Sequence, residues 1–165
     1  MSKTLKLTAL ALLAATSLAQ AQAVRSDKNL SLELANQIAA AGVAACQASG
    51  YALTTTVVDR AGGVRAVQRA DNAGPHTLES SRLKAYTSAS AKNNTLAMME
   101  TAQKKPGAAN LVNIPGFLLL GGGVPVKVGN EVIGAVGIGG APAGNLDEQC
   151  AMAALDKIKD FLKPD

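Results

Sequence analysis

The chain has 165 residues, of which 16 are lysine or arginine, 12 are aspartate or glutamate, and 48% are apolar. This length and composition suit one folded domain rather than a disordered segment. One histidine and two cysteines are too few for a His/Cys zinc cage. With no tryptophan, two tyrosines and two phenylalanines, the chain also lacks the aromatic side chains on which nucleic-acid bases stack.

The first 23 residues have the pattern of a secretory signal peptide. Lys3 and Lys6 precede an apolar run from 7 to 18, and Ala21-Gln22-Ala23 supplies small residues at a cleavage position. A membrane anchor is the alternative, but the run is shorter than the roughly 20 residues that a spanning helix needs. We therefore expect a periplasmic or secreted protein with no membrane span in its mature chain.

The charge of the mature chain indicates no polyanionic partner. Without Lys3 and Lys6 the net charge of +4 falls to +2. This small excess does not favour nucleic acid or an anionic membrane as a ligand.

An oxidising compartment would allow Cys46 and Cys150 to form a disulfide. The bond would close a loop of about 100 residues and contribute on the order of 4 kcal/mol. Two separate buried thiols are the other interpretation. We favour the bridge because both cysteines lie on small-residue faces of predicted helices.

Periodicity predicts helices and strands in a definite order. Apolar and small residues at three- and four-residue spacing predict a first helix from Leu30 to Gln47. Two β-rich runs, Ala52–Asp59 and Val64–Ala70, flank a Gly-Gly turn and predict a hairpin. Two helices, Thr77–Ala91 and Leu96–Lys104, follow. Three further strands are predicted at Phe117–Leu120, Val124–Val128 and Glu131–Ile138.

The last predicted helix has the strongest end signals. Asn145 and Glu148 have the spacing of a capping box, Asp147 lies in the first turn, and lysines in the last turns match the helix dipole. Its predicted buried face consists of Cys150, Ala154, Ile158, Phe161 and Leu162.

The predicted order is helix, two strands, two helices, three strands, helix. Strand connections of two to four residues require antiparallel neighbours. The sequence therefore predicts an α+β fold in residues 24–165, with a five-stranded, largely antiparallel sheet flanked by helices. The glycine-rich stretch from 121 to 144 lacks the Gly-Lys-Ser/Thr of a phosphate loop, so no nucleotide site is predicted.

Four motifs follow one another along the chain. They are Asp-Asn-Ala-Gly-Pro-His-Thr-Leu-Glu-Ser-Ser-Arg-Leu-Lys-Ala-Tyr from 71, Gly-Gly-Gly-Val-Pro-Val from 121, Val-Ile-Gly-Ala-Val-Gly-Ile-Gly-Gly-Ala from 132 and Asp-Glu-Gln-Cys-Ala from 147. Their combination resembles the GlcG/HbpS family of haem-binding proteins, which also occurs as the C-terminal domain of PduO-type proteins. The resemblance covers essentially all of residues 24–165. It implies a central antiparallel sheet between helices, assembly into homo-oligomers, and haem as cofactor.

His76 is the residue that we predict to ligate the haem iron. It is the only histidine, and its position beside a predicted helix start disfavours the imidazolium and keeps the ring neutral, as a metal ligand must be. A hydrogen-bonding surface histidine is the other interpretation. Some relatives place their ligand on the first helix, where this chain has no histidine.

Three residues of the predicted helix that follows His76 are candidates for haem contacts. Arg82 and Lys84 are predicted to meet the propionates, and Tyr86 to serve as a phenolate ligand to ferric iron. The alternatives are a solvated face on which Glu79 pairs with Arg82, and a tyrosine buried with a satisfied hydroxyl.

Two functional hypotheses follow. The first is an exported haem-binding protein for haem capture, storage or sensing, with weak haem-degrading activity left open. The second is an oligomeric module that binds or transforms a small organic acid through Arg69, Arg82 and Lys84, with haem irrelevant. A purely structural subunit would bind neither. The sequence contains no Ser/His/Asp set, paired-carboxylate cleft or metal cage, so an enzyme is not the preferred class.

Overall fold

The structure, a computed structural model, describes residues 25–164. The predicted signal peptide lies outside this range and remains a prediction. Within residues 25–164 no helix is long and apolar enough to cross a membrane.

The described residues form five α-helices and four strands. The helices are α1 (Leu32–Gln47), α2 (His76–Ala91), α3 (Thr95–Lys104), α4 (Pro106–Ala109) and α5 (Gly144–Lys157). The strands are β1 (Thr54–Asp59), β2 (Val64–Arg69), β3 (Gly123–Val128) and β4 (Glu131–Gly139). Short 3-10 helices follow α4 and α5 at Asn110–Asn113 and Lys159–Leu162.

The four strands form one antiparallel sheet in the order β2-β1-β4-β3. This confirms the α+β class and the antiparallel sheet. The predicted number of strands is wrong, because the described chain has four strands in this sheet and not five.

Residues 117–120 were expected to be the extra strand, but they form a loop. The backbone N–H of Leu118 donates to Thr87 Oγ1 at 2.8 Å, and Thr95 Oγ1 donates to the carbonyl oxygen of Leu120 at 2.7 Å. Hydroxyl groups of α2 and α3 therefore form hydrogen bonds with these backbone groups. In a strand, the same groups would bond to the backbone of a neighbouring strand.

The first helix begins two residues later than predicted. Ser31 is its N-cap, with its hydroxyl accepting a hydrogen bond from the N–H of Leu34 at 3.2 Å. Leu30 is buried, and its N–H donates to the carbonyl oxygen of Ile133. Leu30 is therefore buried because it contacts β4, and not because it lies on the apolar face of α1.

Helices cover both faces of the sheet. Thr54 and Thr56 of β1 share hydrogen bonds of 2.7 Å with Thr77 and Ser81 of α2. Thr55, which points to the other face, lies against α1, and α1 packs against α5 there. The larger apolar core lies between the sheet and the α1/α5 pair, and includes Ile38, Leu53, Val57, Val126, Val136 and Ile138.

The capping box predicted for α5 is wrong. Ala143 is the N-cap, and no side chain caps this helix. Glu148 instead accepts hydrogen bonds from Asn94 Nδ2 at 2.9 Å and from the N–H of Leu96 at 3.2 Å, so it caps the start of α3.

The buried face of the last helix is only partly as predicted. Cys150, Ala154 and Ile158 are buried, whereas Phe161 is 66% exposed. The α-helix ends at Lys157 and continues as a 3-10 turn. Since a 3-10 helix has three residues per turn, the change of pitch rotates Phe161 away from the core.

A disulfide joins Cys46 of α1 to Cys150 of α5, with the two Cα atoms 5.4 Å apart. Both cysteines are buried. The bond links the two helices on one face of the sheet across a sequence separation of 104 residues.

Gly137 of β4 allows α2 to lie directly on the sheet. A Cβ at this position would overlap the carbonyl oxygen of Ser81 and lie 2.5 Å from the backbone nitrogen of Ala85. Helix backbone cannot yield without moving α2 as a whole. We expect Gly137→Ala to lower the free energy of unfolding by about 3 kcal/mol, measured by urea denaturation.

Gly107 of α4 is the matched control for this substitution. A Cβ there meets nothing within 4 Å, and alanine is a better helix former than glycine. Gly107→Ala should therefore leave stability unchanged or raise it slightly. Wild-type stability in Gly137→Ala would contradict the close packing of α2 on β4.

Candidate functional site

The outer strand β2 exposes five of its six residues. Helix α2 packs across β1, β3 and β4 and leaves β2 largely uncovered. Val64 and Val67 of β2 are 50% and 45% exposed, and Leu78 of α2 is 44% exposed. An apolar surface that is open to solvent therefore lies beside α2.

The strand register places both valines on the same side of the sheet as α2. Val67 lies opposite Thr56, and Val64 lies opposite Val58. Directly opposed side chains of antiparallel strands point to the same face. Thr56 is hydrogen bonded to Ser81 of α2, and Val58 packs with two alanines of that helix.

One stripe of α2 faces β2. Leu78, Arg82 and Tyr86 recur at four-residue spacing and therefore lie above one another on the helix. A Cβ on Gly62, in the turn that joins β1 to β2, would lie 2.7 Å from the ring of Tyr86. We call the surface formed by Val64, Val67, Leu78, Arg82 and Tyr86 the β2 ledge.

His76 and Arg69 flank one end of the β2 ledge. His76 is the first residue of α2 and is exposed, with its ring lying along Gly74. Arg69, at the end of β2, donates from its guanidinium to the carbonyl oxygen of Ala73, in the loop that leads to α2. The structure thus brings the predicted iron ligand and an exposed arginine to the same corner.

Arg82 holds a carboxylate in the geometry that a propionate would use. Its Nε and Nη2 donate to the two carboxylate oxygens of Glu79 at 2.9 and 2.7 Å. The hydrogen bonds from Arg82 lower the pKa of Glu79. Both side chains are exposed, so this ion pair contributes little to stability and can open toward another anion.

Tyr86 is half-buried at the far end of the β2 ledge. Its ring lies between Gly62 and Gly116 and meets Phe117 edge-on, with ring centroids 6.4 Å apart. These contacts hold the ring in place from both sides. Its predicted role as an iron ligand remains a prediction.

Lys84 lies on the opposite side of α2, and its geometry does not support its predicted role as an anion contact. Its side chain is 2% exposed, and Nζ donates to Asp147 Oδ2 at 2.7 Å and to the carbonyl oxygen of Ile138 at 3.0 Å. A buried cation needs such partners, because it is otherwise costly to remove from water. Lys84 therefore joins α2 to β4 and α5.

Asp147 is the buried partner of that lysine. Burial raises the pKa of Asp147, although the ammonium of Lys84 opposes the shift. Its second oxygen accepts a hydrogen bond from the N–H of Ala141 at 3.0 Å. Asp147 was predicted to interact favourably with the helix dipole of α5. Its carboxylate thus also holds the loop between β4 and α5 in place.

The sequence analysis assigned no role to Val64, Val67 or Leu78. The one available signal was the mixture of valines with arginine and glutamine in β2, which is typical of an edge strand. Among residues 25–164 no group of three or more His, Cys, Asp or Glu side chains could hold a bare metal ion.

A cavity of about 340 Å³ lies elsewhere, beside the disulfide, and is lined by Ala45, Tyr51, Gln149 and Cys150 among others. Its lining includes none of the residues predicted to contact haem and no carboxylate, lysine, arginine or histidine. The β2 ledge is therefore the better candidate site, because it contains Arg82 and is flanked by His76 and Arg69.

The fold and the motifs define a class of small α+β domains with an antiparallel sheet between helices. The family described as "Haem degrading protein HbpS-like" matches residues 30–156. The chain belongs to this HbpS-like family, which confirms the resemblance to GlcG/HbpS proteins.

Individual relatives agree with the family match. Protein GlcG of Escherichia coli strain K12 is 35% identical over 109 residues, which are 66% of this chain and 80% of GlcG. A crystal structure of an HbpS double mutant from Streptomyces reticuli has a TM-score of 0.79 and 34% identity, covering 85% of this chain and 94% of that one. A PduOC:haem complex shares the fold, with a TM-score of 0.69 and 23% identity over 78% of this chain and 94% of its own.

Proposed function

We propose that this protein is an exported haem-binding protein that acts in haem capture, storage or sensing. The HbpS-like family match and the haem complex of a protein with the same fold support haem as the ligand. Within the chain, one observation carries the proposal. The only imidazole, His76, is exposed beside an apolar surface that two arginines flank.

The β2 ledge and the flanking His76 fit the chemistry of haem. A haem has an apolar macrocycle, an iron that accepts imidazole, and two carboxylates. His76 would hold the iron, Arg82 would bind a propionate, and the exposed valines would contact the ring. When bound, haem supplies redox and ligand-binding chemistry at its iron. Lys84 does not fit, because Asp147 already occupies it.

Export and assembly belong to the same proposal. The signal-peptide pattern of residues 1–23 and the disulfide between Cys46 and Cys150 both suit an oxidising compartment. A haem on the open ledge would keep one face exposed, which a second subunit of a homo-oligomer would cover. The family description also names haem degradation, and we include a weak activity of this kind.

A haemin titration of the exported protein tests the proposal. We expect a saturable shift of the Soret band, and a loss of affinity of about tenfold or more in His76→Ala, because an axial ligand is removed. Gln103→Ala, at an exposed position of α3, should bind like the wild type. The absence of a saturable shift would overturn the proposal. Thermal stabilisation by small organic acids without a Soret shift would support the second hypothesis instead.

A further inference from the structure

We propose that an apolar surface formed by α3, α4 and the segment after them docks this protein on a lipid bilayer with anionic headgroups. One open hollow of about 230 Å³ marks this surface, which we call the α3–α4 patch. The hollow is lined by Met99, Ala102, Gln103, Ala109, Val112 and Leu119. None of these residues is assigned to haem binding, so the inference goes beyond the proposed function.

The patch continues into an exposed apolar segment. Residues 111–120 read Leu-Val-Asn-Ile-Pro-Gly-Phe-Leu-Leu-Leu. In this segment Val112 is 58% exposed, Ile114 42% and Leu120 40%. Exposed apolar side chains that lie close together are typical of an interaction surface. The α3–α4 patch is therefore a candidate for docking to an apolar phase or partner.

The backbone of the same segment already has partners within the chain. The N–H groups of Ile114 and Phe117 donate to carbonyl oxygens three residues earlier, and that of Leu118 donates to Thr87 Oγ1. Pro115 has no N–H. A backbone group without a partner is costly to move from water into a membrane. The segment can therefore bring its apolar side chains to the boundary of headgroups and acyl chains at a smaller cost than an open loop.

Lysines at the border of the patch indicate the occupant. Lys104 and Lys105 are exposed in the connection between α3 and α4, the two helices that line the hollow. The sequence has no aspartate or glutamate from 101 to 130. Glu100 follows Met99 on α3, and adjacent residues of a helix do not share a face. Apolar side chains bordered by lysines are typical of a surface that lies on an anionic membrane.

A second copy of the chain is a less suitable occupant. If the patch met the same patch of another copy, Lys104 and Lys105 would lie close to their counterparts, which is unfavourable. The segment from 101 to 130 offers no carboxylate to pair with them. An anionic bilayer supplies both the apolar phase and the opposite charge. The net charge of +2 does not reveal this local excess, because acidic residues elsewhere in the chain offset the lysines.

A single tryptophan can report on docking, because the chain has none. We add vesicles of equal parts phosphatidylglycerol and phosphatidylcholine to Val112→Trp. The fluorescence emission should shift to shorter wavelength and be quenched by brominated acyl chains, because the side chain enters the acyl boundary. Met152→Trp is the matched control, since Met152 of α5 is 53% exposed, and it should show neither change. Equal changes at both positions, or no change in Val112→Trp, would overturn the proposal.

Co-sedimentation with the same vesicles measures the contribution of the lysines. Lys104→Gln/Lys105→Gln should lower the partition constant about tenfold or more, since each lysine near an anionic surface contributes about fivefold. Lys157→Gln/Lys159→Gln removes the same charge from exposed positions at the end of α5 and should bind like the wild type. An equal loss in both double variants would indicate a net-charge effect and overturn the assignment of Lys104 and Lys105.

The apolar contribution is tested by Val112→Glu against Met152→Glu, which add the same charge. Val112→Glu should lower the partition constant about tenfold or more, and Met152→Glu should not change it, because only Val112 enters the bilayer. Both side chains are exposed, so both variants should keep the wild-type melting temperature. An emission shift of Val112→Trp that grows with protein concentration without vesicles would show that a second copy covers the patch, and would overturn lipid docking.

Discussion

Asp147→Ala is expected to lower the free energy of unfolding by about 4 kcal/mol. The substitution leaves the ammonium of Lys84 buried with the carbonyl oxygen of Ile138 as its remaining partner. An uncompensated charge in the interior is costly, because the protein no longer replaces the water that the ion has lost. Urea denaturation at neutral pH measures the loss.

Lys84→Met should lower the free energy of unfolding by less than Asp147→Ala does. The size of this loss should depend on pH. Burial raises the pKa of Asp147, and Lys84 opposes this shift, so the pKa rises further when the lysine is removed. A folded-state pKa above the unfolded value of about 3.9 favours the folded state when the group is protonated. This contribution is present below the unfolded pKa and is lost as pH rises through the folded pKa. The difference in free energy of unfolding between the wild type and Lys84→Met should therefore be larger at pH 7 than at about pH 4.

The double variant Lys84→Met/Asp147→Ala distinguishes a charge effect from a packing effect. If the pair is coupled, the double variant loses less stability than the two single losses together, by about 2 kcal/mol. Asp156→Ala, which breaks the exposed pair with Lys159, should change stability by less than about 0.5 kcal/mol. Additive losses would show that Lys84 and Asp147 act independently.

Removal of the disulfide is the second large expected effect. Cys46→Ala/Cys150→Ala should lower the free energy of unfolding by about 4 kcal/mol, because the open chain gains the entropy of a loop spanning about 100 residues. The loss corresponds to a fall in melting temperature of about 12 °C. Thermal denaturation with and without a reductant measures it.

The reductant supplies the control for this prediction. Dithiothreitol should destabilise the wild type to nearly the level of the double variant and should leave the double variant unchanged. Two thiols that react with a thiol reagent in the unfolded, non-reduced protein would contradict the bond itself. An unchanged wild-type melting point after complete reduction would contradict the loop-closure argument.

The buried ion pair and the β2 ledge lie on opposite sides of the same helix. Lys84 and Asp147 hold the inner side of α2 against the end of β4 and the start of α5. Leu78, Arg82 and Tyr86 then face β2 from a fixed position. The neighbouring Glu148 caps α3, so two consecutive carboxylates of α5 position α2 and α3.

Much of the fold could be predicted from local patterns. The first hairpin, β3 and β4 follow from β-rich runs and glycine turns, and the observed strands lie within a few residues of the predicted ones. The strand at Phe117–Leu120 could not be excluded in this way. Its apolar run resembles a strand, whereas its hydrogen bonds go to hydroxyls of Thr87 and Thr95, which are distant in sequence.

The sequence supplied candidate residues for the site, but it did not show on which face of α2 each of them lies. His76, Arg82, Lys84 and Tyr86 were all expected to contact one ligand. Helical spacing shows that Lys84 and Arg82 cannot share a face closely, but it does not show which of the two is buried.

The sequence by itself determined the family and most of the secondary structure, because motifs and short-range periodicity depend on neighbouring residues. It also identified His76 as the only possible imidazole ligand. The tertiary structure alone decided that Lys84 pairs with Asp147, 63 residues away, and that the valines of β2 remain exposed beside α2. Burial and ion pairing depend on contacts between segments distant in the chain, and these contacts exist only once the sheet has formed and α2 lies across it.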